Sequence, residues 1–279
     1  MIINLDRFDN KTRLFIVHYL PYYCTHKTSY VVRYLKEWNV DITVIVLFLA
    51  GLITGFSKFS VGGMGLLVLP IVMIAVPGPE ALAILLPLYI ITDIMAVFSY
   101  RSKIAWSVLA RFLPLAFLGV FVASHFLANI NAEQFVSFLG VMIIAMIALG
   151  LYLDYRPTSF MQKPLAAYSM GFIGGIVTMM ANAAGPIFSL FLLEQKLDKK
   201  TYVSTRAWAF FIINVVKLPF YISLGLLSVE STKNSLYAVP GLVIGSFIGY
   251  YVLKKVNPIQ FKWLIRIMST IAAVKLFLF

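Results

Sequence analysis

At 279 residues, 61% apolar and only 12% charged, the chain lies far from soluble proteins, which average about 45–50% apolar and about 25% charged. Its formal charge of +12 comes from basic residues that flank apolar stretches, where membrane orientation and lipid headgroups account for them without nucleic acid. One cysteine, Cys24, excludes an internal disulfide and any multi-cysteine metal site, and His18, His26 and His125 lack metal-ligand spacing.

Residues 1–41 carry six Lys/Arg against four Asp/Glu, and their best apolar run, 14–24, is interrupted by His18 and Pro21. This predicts an interfacial or partly disordered tail, too short in apolar reach to span and without the cleavage pattern of a signal peptide. Apolar segments then follow at 42–57, 60–76, 81–100, 107–128 and 133–153, and again at 165–181, 186–193, 207–227, 236–253 and 259–279. The expected organisation is a first transmembrane repeat over 42–153, a linker at 154–164 and a second repeat over 165–279.

The two halves echo each other. Gly51, Gly55 and Gly65 recur 120 positions on as Gly171, Gly175 and Gly185; Pro114 and Gly119 recur 126 positions on as Pro240 and Gly245, as do Asn131 and Gln134 in Asn257 and Gln260. The first two segments of each half are shorter than the roughly 20 residues needed to cross hydrocarbon, so each pair reads as a broken or re-entrant hairpin. Their tips, GFSKFSVGGMG at 55–65 and TMMANAAGP at 178–186, are rich in breakers. Unwound backbone at membrane depth survives only when buried in protein or lining a wet cavity, so both tips are expected to face inward.

Loop charge gives orientation. The loops near 101–103, 154–163, 194–206 and 253–256 hold ten basic residues, whereas 77–81, 129–133 and 228–234 hold only Lys233. The positive-inside rule places the first group in the cytoplasm, so the two hairpins enter from opposite faces and the repeats are inverted. The fold class is therefore all-α: a polytopic, multi-pass membrane protein of the plasma-membrane (bacterial inner-membrane) type, with two inverted repeats of about five elements each. This layout leaves the N-terminus outside; a first hairpin that crossed once as a broken helix would leave it inside.

Broken helices in membranes offer free N–H groups and the positive end of a helix dipole, which bind anions. The candidate binding set is Ser57, Lys58, Ser60, Gly62, Gly63 and Gly65 at the first tip, and Asn182 and Gly185 at the second. One Gly-x-x-x-Gly is accounted for by close helix packing, but two copies at matched positions point to a site as well. Intramembrane charges are expensive and by default functional. Lys217 shares a helical face with Phe210, Asn214 and Tyr221, so Asn214 and Lys217 join the binding set. Asp93, at nearly equivalent depth in the other half, is a candidate partner of Lys217 or a proton carrier for coupling; a static pair that fixes packing is the alternative. Glu194 and Arg206 bracket a basic loop and read as solvated.

At these residues the chain resembles the TauE/SafE sulfite exporter family. The resemblance rests on the Gly-rich first tip followed by LLVLP at 66–70, the Glu80-Ala81 helix entry, ANAAGPI at 181–187 and the Thr205…Phe210…Asn214-x-x-Lys217 run, and it covers most of 42–279. It implies transport, commonly outward, of small sulfur-containing anions such as sulfite or organosulfonates. The chain departs from that family's usual pattern in its long tail, in Lys58 and in Asp93.

The expected function is thus a secondary transporter of a small anion by alternating access, with no cofactor, no metal and no catalytic residues. Its partners are the anion and the lipid bilayer; a homodimer is compatible with a sequence that sets no oligomeric state. A passive anion channel would use the same tips. An intramembrane enzyme needs a nucleophile with a base, and the apolar region offers no serine beside a histidine or lysine at helical spacing.

Overall fold

Caps and breakers set the helix boundaries in the computed structural model, which describes residues 42–60, 65–155, 159–255 and 257. The helices are α1 (Ile42–Phe59), α2 (Gly65–Val72), α3 (Glu80–Ser99), α4 (Trp106–Leu127), α5 (Ala132–Tyr155), α6 (Pro164–Ala181), α7 (Gly185–Glu194), α8 (Lys199–Ser223) and α9 (Val229–Lys255), with a 3₁₀ turn at Ser159–Gln162. By contacts the chain divides into Met1–Ile45, of which only the first residues of α1 are described, and Val46–Phe279, which holds everything discussed below. The tail at 1–41, Gly62 and Gly63 of the first tip and the apolar segment at 259–279 lie outside the described residues.

Among the described residues, five helices are long and apolar enough to cross a membrane: Ile42–Phe59, Glu80–Ser99, Trp106–Leu127, Pro164–Ala181 and Ser231–Val252. The protein is an all-α, polytopic membrane protein. Large apolar side chains such as Phe98, Phe126, Val141, Phe247 and Tyr251 stand exposed, as expected of surfaces bathed by lipid rather than water.

Three expectations need correction. α1 and α6 are not short: each has 18 residues, about 27 Å of helix, because Lys58 and Phe59 extend the first and Pro164 opens the second. Only the second elements, α2 with 8 residues and α7 with 10, are too short to cross. α8 begins at Lys199 rather than 207, because Asp198 caps it by accepting from the Thr201 N–H at 3.2 Å and its polar first turns are buried. Likewise the stretch 228–234 is largely helix rather than loop: Ser228 and Ser231 bond each other's backbone N–H groups, opening α9 at Val229.

Association of helices in lipid has little hydrophobic drive and depends on close packing, which small residues permit. Two glycine seams provide it. A Cβ at Gly171 or Gly175 of α6 would collide with the carbonyl oxygens of Phe112 and Ala116 on α4, and one at Gly119 of α4 with that of Phe172 on α6. A Cβ at Gly51 or Gly55 of α1 would strike the carbonyls of Ala238 and Leu242 on α9, while Gly241, Gly245 and Gly249 of α9 press equally close on Phe48, Leu52 and Phe56 of α1. The offset of 120 carries α1 onto α6 and that of 126 carries α4 onto α9, so the two seams are corresponding pairings, each joining one half to the other. α3 packs against both α8 and α9.

Candidate functional site

The two breaker-rich tips meet at a cavity of about 40 Å³. That is room for a few water-sized groups, since one water needs about 10–15 Å³ on this measure. Ser57 and Lys58 reach it from α1, Gly65 from the start of α2, Asn182 and Gly185 from the second tip, and Asn214 from α8. Thr54, Val68, Tyr89, Thr178, Arg206 and Phe210 complete the wall.

Lys58 lies in the last turn of α1 and is the lysine that lines the cavity. Its Nζ donates to Asp93 Oδ1 at 2.5 Å and sits 4.2 Å from the centre of the Phe210 ring and 5.2 Å from that of Tyr89. Asp93 is fully buried on α3, and its other oxygen, Oδ2, accepts from Asn214 Nδ2 at 2.6 Å. The sequence offered Lys217 as the partner of Asp93; the structure gives that ion pair to Lys58 instead. Helical order explains this, because Lys58 comes off the last turn of α1 directly opposite Asp93, while Lys217 lies one turn below Asn214 on α8 and turns to the second tip.

Lys217 is fully buried and outside the cavity wall. Its three ammonium protons meet three acceptors: Thr178 O at 3.2 Å, Thr178 Oγ1 at 3.4 Å and Asn182 Oδ1. The last contact has a consequence. With Oδ1 held by an ammonium, the amide orientation of Asn182 is fixed, and its Nδ2 donor is left buried and without a partner. Asn182 also terminates α6 in the left-handed conformation, φ 52°, which asparagine tolerates better than other non-glycine residues.

Arg206, a solvated residue by its loop position in the sequence, is buried in the structure. It is 4% exposed, and its Nη2 donates to Lys58 O at 2.9 Å and Ser60 O at 2.7 Å, while Tyr100 OH donates to Phe59 O at 2.8 Å. The end of a broken helix carries unpaired carbonyls and partial negative charge, which a cation relieves. Lys58 and Thr178 are equivalent under the offset of 120, so each half has the same carbonyl capped by a cation of α8, Arg206 in one and Lys217 in the other.

Among the sequence candidates, then, Ser57, Lys58, Gly65, Asn182, Gly185 and Asn214 come together at the cavity, Asp93 stands behind Lys58, Lys217 stands behind Asn182, and Ser60 is buried outside the wall. The glycine triplets divide: Gly51, Gly55, Gly171 and Gly175 pack helices, and only Gly65 and Gly185 reach the cavity. Sequence reasoning passes over Thr54, Tyr89 and Thr178 and gives Arg206 a solvated role only. Thr54, Tyr89 and Thr178 each lie four residues from a polar residue already singled out (Lys58, Asp93 and Asn182), so an i, i+4 scan from the intramembrane polar residues finds these three, whereas Arg206 lies four from the apolar Phe210 and escapes it.

The buried hydroxyls of Thr54 and Tyr89 have no hydrogen-bond partner, and neither does Asn182 Nδ2. Three potential donors thus line one cavity beside an ammonium, at the starts of two short helices. Chemically this suits an oxyanion: donors and positive dipole ends surround a small volume and Phe210 closes it apolarly.

A family model described as Sulfite exporter TauE/SafE matches residues 47–276. The chain belongs to the TauE/SafE family. The match spans the described helices α2 to α9 and most of α1, and makes the protein a member of a membrane transport family. No curated protein and no solved structure matches the chain. The TauE/SafE run Thr205…Phe210…Asn214…Lys217 lies on α8, where Thr205 Oγ1 accepts from the Ala105 N–H at 3.0 Å, Phe210 and Asn214 line the cavity, and Lys217 bonds Asn182 from behind it.

Proposed function

We propose that the protein exports a small oxyanion, sulfite or an organosulfur anion, by alternating access around this cavity. The reading is carried by one observation: Thr54, Tyr89 and Asn182, each with an unpartnered buried polar atom, share a cavity with the Lys58 ammonium. Leaving a buried polar group unpaired costs about 1–3 kcal/mol, so such a set persists where a ligand completes it. Gly65 and Gly185 add the N-termini of α2 and α7, which favour negative charge. In this reading Lys58 supplies charge, Asn182 supplies a donor aimed by Lys217, and Arg206 and Lys217 keep helix-end carbonyls from repelling the anion.

The same reading takes the halves as inverted repeats. The corresponding glycine seams, α4 with α6 and α9 with α1, support it, as does the loop-charge pattern. Each seam joins a helix of one half to a helix of the other, so the cavity can open to either side by rocking of one seamed pair against the other.

Thermal unfolding of the purified protein against sulfite, thiosulfate, sulfate and methanesulfonate tests the site, because stabilisation grows with the logarithm of anion excess over its dissociation constant. The anions that stabilise should then be carried by proteoliposomes with saturable flux. Absence of any stabilisation removes the anion reading; flux that is linear in concentration and shallow in temperature replaces the transporter with a channel.

A further inference from the structure

The ammonium that the anion needs is already engaged. Asp93 Oδ1 accepts from Lys58 at 2.5 Å, and the carboxylate itself lies wholly buried outside the cavity wall. The charged and polar groups acting on Asp93 are Lys58 from α1 and Asn214 and Lys217 from α8; α9, which also packs on α3, brings its ionisable Tyr250 against Tyr100 at the helix end. Tyr89, one turn earlier on α3, adds an unpartnered hydroxyl. Asp93 is therefore a fixed anion on the substrate's own cation.

We propose, resting on the anion site above, that Asp93 is a tethered stand-in for the substrate: the incoming anion takes Lys58 from it, and Asp93 takes up one proton, so anion and proton cross together. Two anions sharing one ammonium in a desolvated site do not both stay ionised, and the one with a proton acceptor of carboxylate strength yields. The balance is simple. A monoanion enters from the open side, one proton from the same aqueous phase bonds to the Asp93 carboxylate, and the Lys58–Asp93 hydrogen bond is exchanged for a Lys58–anion bond while Asn214 keeps hold of Oδ2. The net charge of the site is unchanged by loading. On release at the other side the proton leaves Asp93, and the carboxylate returns to Lys58, closing the empty site.

Asp93 as a static packing pair makes a different prediction, because it would remain ionised with anion bound. Calorimetric titration of the full-length protein with methanesulfonate, sulfate and thiosulfate, none of which titrates near neutral pH, in buffers of different protonation enthalpy counts the protons. The expected result is about one proton taken up per anion, with Kd rising about tenfold per pH unit across the linked range. D93N should bind with no uptake, a flat pH profile and about tenfold or greater tightening at neutral pH, since its neutral side chain no longer competes for Lys58. Binding to the wild type without proton uptake overturns the exchange and leaves the anion site standing; binding of none of the three removes the site and the exchange together. The wild-type count decides the matter even where D93N does not fold.

Discussion

The residue whose role shifts most is Lys217. An intramembrane lysine invites the reading of a substrate cation, yet its protons are committed to Thr178 and Asn182, and the lysine that lines the cavity is Lys58. Lys217→Ala should therefore lose transport and stability together. It strips the donor from buried Thr178 O and Asn182 Oδ1, at about 1–3 kcal/mol for each orphaned group, and lets the Asn182 amide turn over. Proteoliposome uptake and thermal unfolding measured side by side check this; full stability with lost transport would mean that Lys217 touches the anion. Asn182→Ala, which deletes the unpartnered donor, should weaken anion affinity about tenfold or more, as read by the titration used above, and also lower stability, because it puts alanine at φ 52° and removes one acceptor of Lys217 while leaving the Lys217–Thr178 contacts.

At the scale of elements, glycines that look alike in sequence do different work. Gly175 lies against the Ala116 backbone, whereas a Cβ at Gly65 meets nothing nearer than Asn182 O at 3.8 Å. Gly175→Ala should cost about 1–3 kcal/mol through forced separation of α4 and α6. Gly65→Ala should leave the unfolding temperature nearly unchanged and alter anion affinity, because its new methyl narrows the cavity. The start of α8 gives a second test. The hydrogen bond from Thr201 holds the Asp198 carboxyl below the ordinary aspartate range. A lowered folded value means the cap contributes fully above about pH 4 and is lost as pH falls beneath it, so the protection of the Lys200–Val203 amides, relative to their intrinsic exchange rate at each pH, should fall in acid in the wild type and be low throughout in Asp198→Ala. The apolar scan placed this helix start eight residues late because buried Tyr202, Ser204, Thr205 and Arg206 dilute the hydropathy of turns that tertiary contacts, not composition, bury.

For the whole molecule, the inverted arrangement proposed above predicts opposite accessibility of neighbouring loops. In a Cys24→Ser background, single cysteines at Asn129 and Gly78 should react with an impermeant maleimide added outside intact cells, and cysteines at Ser102 and Lys196 should react only after permeabilisation. Labelling of both sets from one side would end the inverted reading. The seams make the same arrangement mechanical: α1 is held by α9 and α6 by α4 through backbone contact, so motion between the pairs is confined to surfaces that lack such close approach.

Composition, the 120 and 126 offsets and the loop charges were enough to establish a polytopic helical membrane protein, most helix positions, and six of the residues that gather at the cavity. They suffice because lipid imposes one-dimensional rules: apolar length, positive loops, and breakers tolerated only where backbone is shielded. Which cation meets which partner was decided only in three dimensions. Lys58, Asp93, Arg206 and Lys217 are all legible as charges, but pairing depends on the direction in which each leaves its helix and on contacts spanning 35 to 148 positions. The division of the glycines has the same cause, since a missing Cβ reads identically whether it admits a neighbouring helix or borders a cavity.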